Sequence, residues 1–257
     1  MVAPVPSLKT RSQTIADYYA ELEAALAPDR LASYRPPDAD NLMTIATYFW
    51  NVALSCDLHL GLGAAEVSMR NGIHSALSAH AGGADWYDRI GLLPRESDMV
   101  KRAKNEITKS GKPIIPGRVV AALHFGFWTN ILSTGYGPNG YGSAIWSPNN
   151  AALIRHAFPP LQAPNQNRRY VHNRLNTLRL LRNRTMHHEP IWNGMTIRRQ
   201  NRTMTFALAD LHADILDAIG WTSPRLRDSI LAFDHFPNKL RAGQAALTAE
   251  VAAFLGI

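Results

Sequence analysis

Residues 181–192 read LRNRTMHHEPIW. The stretch collects two arginines, an asparagine, two adjacent histidines and a glutamate, and its proline cannot continue a helix. The residues before it predict a helix over 168–189, because apolar side chains recur there at helical spacing. These side chains are Val171, Leu175, Leu178 and Leu181. The stretch is therefore expected to be the charged C-terminal end of an amphipathic helix.

Arg182 takes an unusual place on this predicted helix. On an ideal helix it continues the apolar stripe and lies about 140° from His187. The opposite, polar face lies within a sector of about 80° and contains Asn173, Asn176, Leu180, Asn183 and His187. An arginine on a core-facing stripe must reach an edge of the core, pair with an acid or enter an interface. Arg182 is therefore expected to differ in its surroundings from the neighbouring arginines.

Positive charge is concentrated in the same part of the chain. Residues 155–202 contain ten arginines, no lysine and a single acid, Glu189, which gives this segment a net charge of +9. The whole chain carries +7, so the remaining residues sum to −2. Arginine binds phosphate through a planar, bidentate fork, and its use without lysine favours a polyanionic partner over a merely solvated basic face.

Length and composition predict a folded domain with a sizeable core, since the chain has 257 residues of which 46% are hydrophobic. Cys56 is the sole cysteine, which excludes an intramolecular disulfide and a four-cysteine zinc site. The N-terminal residues lack the apolar core of a secretory signal. No apolar run approaches the roughly 20 residues that span a bilayer. We therefore expect a cytoplasmic protein that does not associate with a membrane.

Helical spacing predicts an all-α fold, and the sequence shows no internal repeat. The loop TGYGPNGYGSAIWSPNN, residues 134–150, alternates glycine with tyrosine, which could stack bases or pack on its own domain. The other predicted helices cover residues 12–27, 41 to about 56, roughly 58–80, 97–109, 117–133 and 204–220, and two more lie within 224–255.

The stretch LRNRTMHHEPIW resembles the signature of HEPN domains, in particular of the Abi-like (abortive infection) family. In that signature an arginine and a following polar residue precede a histidine, and Arg182, Asn183 and His187 match it with four intervening residues. His188 offers the alternative with five. The blocks EVSMRNGIHSAL (66–77) and GRVVAALHFGFW (117–128) fit the same family in the expected order.

The resemblance covers roughly residues 40–222 and implies a HEPN-type helical bundle. Residues 1–39 would then form an N-terminal helix and linker, and residues 223–257 a C-terminal helical extension. It further implies a homodimer whose two Arg/His pairs meet in a basic cleft. Such a protein would be a metal-independent endoribonuclease without a cofactor, acting as a toxin or in phage defence.

The family resemblance also suggests residue roles. The catalytic residues would be Arg182, Asn183 and His187. Supporting residues would be His188, Glu189, Glu66, Arg70 and Asn71. RNA would be bound by Arg168, Arg169, Arg174, Arg179, Arg184, Arg198 and Arg199. The chemistry is consistent with these residue types, because RNA cleavage by its own 2′-hydroxyl needs proton transfer and positive charge at phosphorus. Histidine titrates near neutrality and arginine binds phosphate.

Structural explanations of the same residues stay open. Histidines at a helix C-terminus interact favourably with its dipole, and Glu189 could pair with Arg182. Glu66 and Arg70, at i and i+4, would form an ordinary helix pair. Two further functions also stay open: a non-catalytic RNA-binding HEPN protein, and a module regulated by an antitoxin or a nucleotidyltransferase.

Two other histidine patterns are not predicted to be functional. A metal site from His187, His188 and Glu189 is disfavoured, because adjacent side chains point apart and the H-E-x-x-H spacing is missing. In RNGIH, only three residues separate Arg70 from His74, which departs from the family spacing.

Overall fold

A computed structural model describes residues 9–133, 141, 145–146, 152–199 and 201–257, with the side chain of Arg199 outside the description. Within these ranges the predicted all-α class is confirmed, and one short antiparallel hairpin is added to it. The elements in chain order are α1 (Arg11–Leu26), α2 (Pro28–Ala32), α3 (Asn41–Ala81), α4 (Trp86–Arg89), α5 (Pro94–Lys109), α6 (Pro116–Ala122), α7 (Phe125–Ile131), α8 (Ala152–Ala157), α9 (Arg168–Met186), β1 (Met195–Arg199), β2 (Arg202–Phe206), α10 (Leu208–Gly220), α11 (Pro224–Ala232) and α12 (Phe236–Phe254).

The chain forms two compact units, and both α3 and α9 contribute to each of them. The first unit comprises Met1–Leu58, Arg184–Ala209 and His235–Ile257. The second unit comprises His59–Asn183 and Asp210–Asp234. The HEPN-type domain expected over residues 40–222 stays a prediction. No helix in the described ranges has both the length and the apolar character needed to cross a membrane.

The first unit is built around the start of α3 and the end of α12. Its buried cluster consists of Leu42, Ile45, Ala46 and Val251, against which side chains of α1 such as Tyr18 pack. Helix α12 is kinked at Gly243, whose φ of 72° lies in the left-handed region that favours glycine. Next to this kink, the Gln244 side chain donates hydrogen bonds to the Met43 carbonyl and the Thr47 hydroxyl.

Aromatic side chains form much of the core of the second unit. Trp86, Phe127 and Trp128 are fully buried and in mutual contact, with ring centroids 5.1–6.2 Å apart. A buried carboxylate, Glu96, accepts hydrogen bonds from the Asn130 amide and the Tyr141 hydroxyl, each at 3.0 Å. Burying a charged group is tolerated when donors of this kind satisfy it.

Helix α3 is a single helix of 41 residues, so the predicted break between residues 56 and 58 is wrong. The apolar stripe continues across the predicted break, where Leu54, Leu58 and Leu62 are buried in succession. The predicted start is confirmed, because the Asp40 carboxylate accepts the Met43 amide at 2.8 Å. Farther along, the helix passes close to another segment at Gly72, where a Cβ would collide with the Ala157 carbonyl oxygen.

The apolar helix predicted over residues 117–133 is two short helices, α6 and α7. The chain becomes extended between them, with ψ of 120° at Leu123 and 168° at His124. Two side chains hold this break: the Trp128 indole donates to the Leu123 carbonyl at 3.1 Å, and the Glu66 carboxylate accepts the Phe125 amide at 3.1 Å. Sequence periodicity does not reveal such bonds, because the apolar pattern continues across the break.

The second strand of a hairpin includes residues 204–206, where a helix was predicted to begin. Strands β1 and β2 pair from Met195 opposite Phe206 to Arg199 opposite Arg202, and the Thr196 and Thr205 hydroxyls bond across them at 3.1 Å. Threonine-rich segments favour strands because β-branched side chains fit a pleated surface. The loop predicted over 134–150 lies outside the described residues, apart from 141 and 145–146.

Helix α9 ends at Met186, three residues before the predicted end. His188 has a φ of 52°, its amide donates to the Thr185 carbonyl at 3.3 Å, and the Glu189 amide donates to the Arg184 carbonyl at 2.9 Å. These two bonds and the left-handed residue define a Schellman helix end, in which glycine is the usual residue. His187 and His188 therefore lie beyond the helix, and an ideal-helix angle does not describe their positions.

His188→Gly is expected to raise stability by about 0.5–1 kcal/mol, because glycine avoids the left-handed strain of a side chain but costs more entropy on folding. Thermal unfolding would show the gain as a rise in Tm of roughly 1–3 °C. His188→Ala is the matched control and should give no such rise, since alanine keeps the Cβ. Equal melting temperatures for the glycine variant and the wild type would contradict the strain argument.

Candidate functional site around Glu66 and Arg182

A half-buried ion pair joins α3 to α9 in the second unit. The Arg182 Nε lies 3.5 Å from the Glu66 Oε2, and the side chains are 34% and 20% exposed. The other carboxylate oxygen of Glu66 accepts the amide of Phe125, at the start of α7. Glu66 thus connects an arginine of α9 with the backbone of a third helix. An arginine on an apolar stripe was expected to reach an edge of the core, pair with an acid or enter an interface. Arg182 pairs with an acid, Glu66.

The residues near Glu66 on α3 do not form the helix pair that spacing suggests. Arg70 points its Nε at the Asn71 side-chain oxygen at 3.4 Å, while Glu66 pairs with Arg182. The expectation of a Glu66–Arg70 pair is therefore corrected. Asn183 follows Arg182 on α9 and is half-buried.

The histidines of the signature belong to the first unit, where their backbone is held and their side chains are exposed. The His188 carbonyl accepts hydrogen bonds from Arg30 at 2.7 Å and from the Tyr34 hydroxyl at 2.6 Å. Burial raises the pKa of Tyr34, so this phenol stays a neutral donor at ordinary pH. Farther along, the Asn51 amide oxygen accepts the amide of Ile191 at 2.7 Å.

Glu189 completes this helix end. Its carboxylate lies 3.8 Å from the Arg184 Nε, and its own carbonyl faces the Asn51 side-chain amide at 3.5 Å. Arg184 also donates to the Thr196 carbonyl of β1 at 3.3 Å. Backbone and side-chain contacts therefore fix the chain on both sides of the two histidines, while both imidazoles stay exposed to solvent.

Several arginines that were predicted to bind RNA have partners within the second unit. Arg174 forms an ion pair with the buried Asp214 and lies 5.5 Å from the Tyr170 ring centroid. Arg179 donates two hydrogen bonds to the Asn176 side chain, at 3.1 and 2.9 Å. Burial, followed by the charge of a neighbouring arginine, lowers the pKa of Arg179. These guanidinium groups are already engaged in holding the fold.

The remaining predicted RNA contacts differ in exposure. Arg168 donates to the Ser133 carbonyl at 3.3 Å, and burial lowers its pKa. Arg169 on α9 and Arg198 on β1 are exposed, and the side chain of Arg199 lies outside the described residues. The basic segment is thus a mixture of structural and solvent-facing arginines.

His74, the histidine of RNGIH, has a structural role. Its Nδ1 accepts the Trp86 indole N–H at 2.9 Å in the second unit, and the Ser78 hydroxyl is 3.4 Å away. Burial, followed by the charge of Arg70, lowers the pKa of His74. A neutral imidazole is needed to accept the indole proton, so the contact and the lowered pKa agree.

Sequence reasoning did not single out His124. This histidine lies in the block GRVVAALHFGFW, between α6 and α7, immediately before the amide that Glu66 accepts. Its side chain is exposed and does not cap α7. The signal available in the sequence was a titratable residue within one of the three blocks that share the family resemblance.

Comparisons of the chain with protein-family models, with curated proteins and with solved structures gave no match.

Two replacements of Glu66 should show how much each of its two contacts contributes to the stability of the protein. Glu66→Gln keeps an oxygen for the Phe125 amide but removes the ion pair, and we expect a loss of up to about 1 kcal/mol. Glu66→Ala also leaves a part-buried amide without its acceptor, and we expect a further loss of about 1–3 kcal/mol. Urea unfolding of both variants would measure the difference. Equal losses would mean that the Phe125 hydrogen bond contributes nothing.

The lowered pKa of His74 predicts a pH dependence of stability. Since the folded state keeps this imidazole neutral, its contribution is full above the ordinary histidine pKa of 6.5 and is lost as pH falls below that value. Urea unfolding between pH 7.5 and 5 would show the loss. His74→Gln retains an acceptor for Trp86 and should reduce the slope; an unchanged slope would assign the pH dependence to other groups.

Proposed function

We propose that the protein is a metal-independent endoribonuclease of the Abi-like HEPN type, acting as a toxin or phage-defence effector. Arg182 binds the scissile phosphate, Asn183 orients the reacting groups, and His187 transfers a proton. The observation that best supports this function is that residues from three separate sequence blocks are brought together at the Glu66 carboxylate. Glu66, Phe125 and Arg182 come one from each of the blocks that share the family resemblance, and Phe125 and Arg182 each contact Glu66.

The chemistry follows from the residue types. A base removes the proton of the ribose 2′-hydroxyl, the 2′-oxygen attacks phosphorus, and the bond to the 5′-oxygen breaks. The products are a 2′,3′-cyclic phosphate and a 5′-hydroxyl. Charge grows on the non-bridging oxygens in the transition state, where a fixed guanidinium is most effective. Glu66 and the packing of α9 would hold Arg182 in place without an ordering cost at the moment of reaction.

RNA and a second copy of the chain are the partners of this proposal. Exposed Arg169 and Arg198 are available for phosphate contacts, whereas Arg174 and Arg179 already bond within the second unit. The homodimer rests on the family resemblance, since the Glu66 pair explains the position of Arg182 without an interface. An antitoxin or a nucleotidyltransferase would be the regulatory partner.

His187→Ala should lower RNA cleavage by about 10² to 10⁴-fold, because the role assigned to the imidazole is proton transfer. The exposed side chain makes little contribution to packing, so folding and RNA binding should be unchanged. The assay incubates purified protein with a labelled RNA in EDTA and identifies the product ends. Arg182→Ala should lose cleavage and also bind RNA less tightly.

His188→Ala is the matched control for this experiment, since the two exposed histidines are adjacent. Its cleavage rate should fall distinctly less than that of His187→Ala. If His188→Ala were inactive and His187→Ala active, the catalytic histidine would be His188, which five residues separate from Arg182. Complete loss of wild-type activity in EDTA would contradict the metal-independent mechanism.

A further inference from the structure

The hairpin of β1 and β2 has one face that consists of threonine and arginine alone. Because side chains alternate between the two faces of a strand pair, the register places four of them on this face: Thr196, Arg198, Thr203 and Thr205. All four side chains are exposed. The opposite face begins with Met195, which is fully buried. The hairpin therefore packs on the first unit with one face and leaves the other free to bind a partner.

The base of the hairpin is held in place by bonds within the first unit. The Arg184 guanidinium donates to the Thr196 carbonyl at 3.3 Å, and the Gly194 amide donates to the Ile191 carbonyl at 2.8 Å. Gly194 has a φ of 93°, in the left-handed region that favours glycine, and a Cβ there would collide with the Phe206 carbonyl. A surface on a base of this kind needs little ordering when it binds a partner.

Positive charge is not balanced around the hairpin. Residues 190–209 contain three arginines and no acid. Arg198 and Arg202 are exposed, and neither has an ion-pair or hydrogen-bond partner within the described ranges. At the end of the register Arg199 is opposite Arg202. Directly opposed like charges destabilise a strand pair, and an anion bound at the tip would offset that cost.

The threonine hydroxyls suit the ribose of RNA. Thr203 is opposite Arg198, and the Cβ atoms of directly opposed residues lie about 4.5–5.5 Å apart, so a hydroxyl and a guanidinium can reach one ligand together. A threonine hydroxyl both donates and accepts hydrogen bonds. The ribose 2′-hydroxyl does the same, and it is the group by which a protein distinguishes RNA from DNA.

We propose that the exposed face and the tip of the hairpin bind the ribose–phosphate backbone of RNA. Arg198 and Arg202 bind phosphate oxygens from the two faces of the tip, and the Thr203 hydroxyl bonds to ribose. None of these contacts reads a base, so the affinity that they supply is independent of sequence. The inference rests on the proposed function for the identity of the substrate and adds a binding surface to it.

The first test measures RNA binding by the full chain carrying His187→Ala, which prevents cleavage during the measurement. Adding Arg198→Gln and Arg202→Gln together should weaken binding of a short labelled single-stranded RNA by about 10 to 30-fold at about 0.1 M salt. The salt slope should fall by about 1.4, since each lost phosphate contact removes roughly 0.7. The Tm should be unchanged or higher, because a pair of opposed like charges is removed.

Arg11→Gln with Arg225→Gln is the matched control, since it removes two exposed arginines elsewhere in the chain. This control should bind RNA within a few fold of the parent protein. Equal losses in the two double variants, or unchanged binding by the hairpin variant, would overturn the proposal.

Thr203→Val tests the ribose contact, because valine keeps the shape of threonine without its hydroxyl. It should weaken RNA binding by a few fold and leave binding of a DNA of the same sequence unchanged. Equal effects on RNA and DNA would overturn the ribose contact.

Cleavage assays separate this inference from the proposed function. With His187 restored, the Arg198 and Arg202 double variant should raise KM and keep kcat within a few fold, because its contacts hold substrate and transition state alike. Normal binding by the double variant of an active enzyme would overturn the hairpin role alone. Hairpin-dependent RNA binding by a wild-type protein that cleaves no RNA would overturn the nuclease function and support the hairpin role. A wild-type protein that binds no RNA would overturn both.

Discussion

The carboxylate of Glu66 determines the local order of the candidate site. One oxygen accepts the first amide of α7 and the other faces the Arg182 guanidinium, so a single side chain on α3 serves two other helices. A half-buried carboxylate is costly to desolvate, and this cost is offset only when its lone pairs meet donors and positive charge. The Glu66 contacts help to hold the break between α6 and α7 and the orientation of Arg182.

The arginines of this chain are of two kinds: some bond to other residues of the protein, and others face solvent. Composition alone does not distinguish the two kinds. Arg174 neutralises the buried Asp214 and Arg179 bonds to Asn176, whereas Arg169 and Arg198 face solvent. The N–H groups that a guanidinium donates to a protein partner cannot bind phosphate at the same time. Exposed arginines retain their full capacity. The net charge of the segment therefore overstates the charge available to a polyanion.

The two adjacent histidines show how a helix end can hold its backbone and leave its side chains free. Arg30 and Tyr34 satisfy the carbonyl of His188, and Asn51 takes up the amide of Ile191 beyond the proline. These bonds satisfy backbone groups of residues beyond the helix, which have no partner within it. An imidazole on such an anchored backbone is well suited to chemistry, because its position is fixed at little cost to its exposure.

The sequence by itself determined the helical class, the start of α3 near residue 41, the helix of Arg182 and the unusual position of that arginine, because periodicity and capping are properties of neighbouring residues. Tertiary structure decided the continuity of α3, the break at His124, the hairpin over 195–206 and the pairing of Glu66 with Arg182 rather than Arg70. Each of these depends on a contact between residues far apart in the chain. The hydrogen bond from Phe125 to Glu66 spans 59 positions, and no local pattern encodes a contact over such a separation.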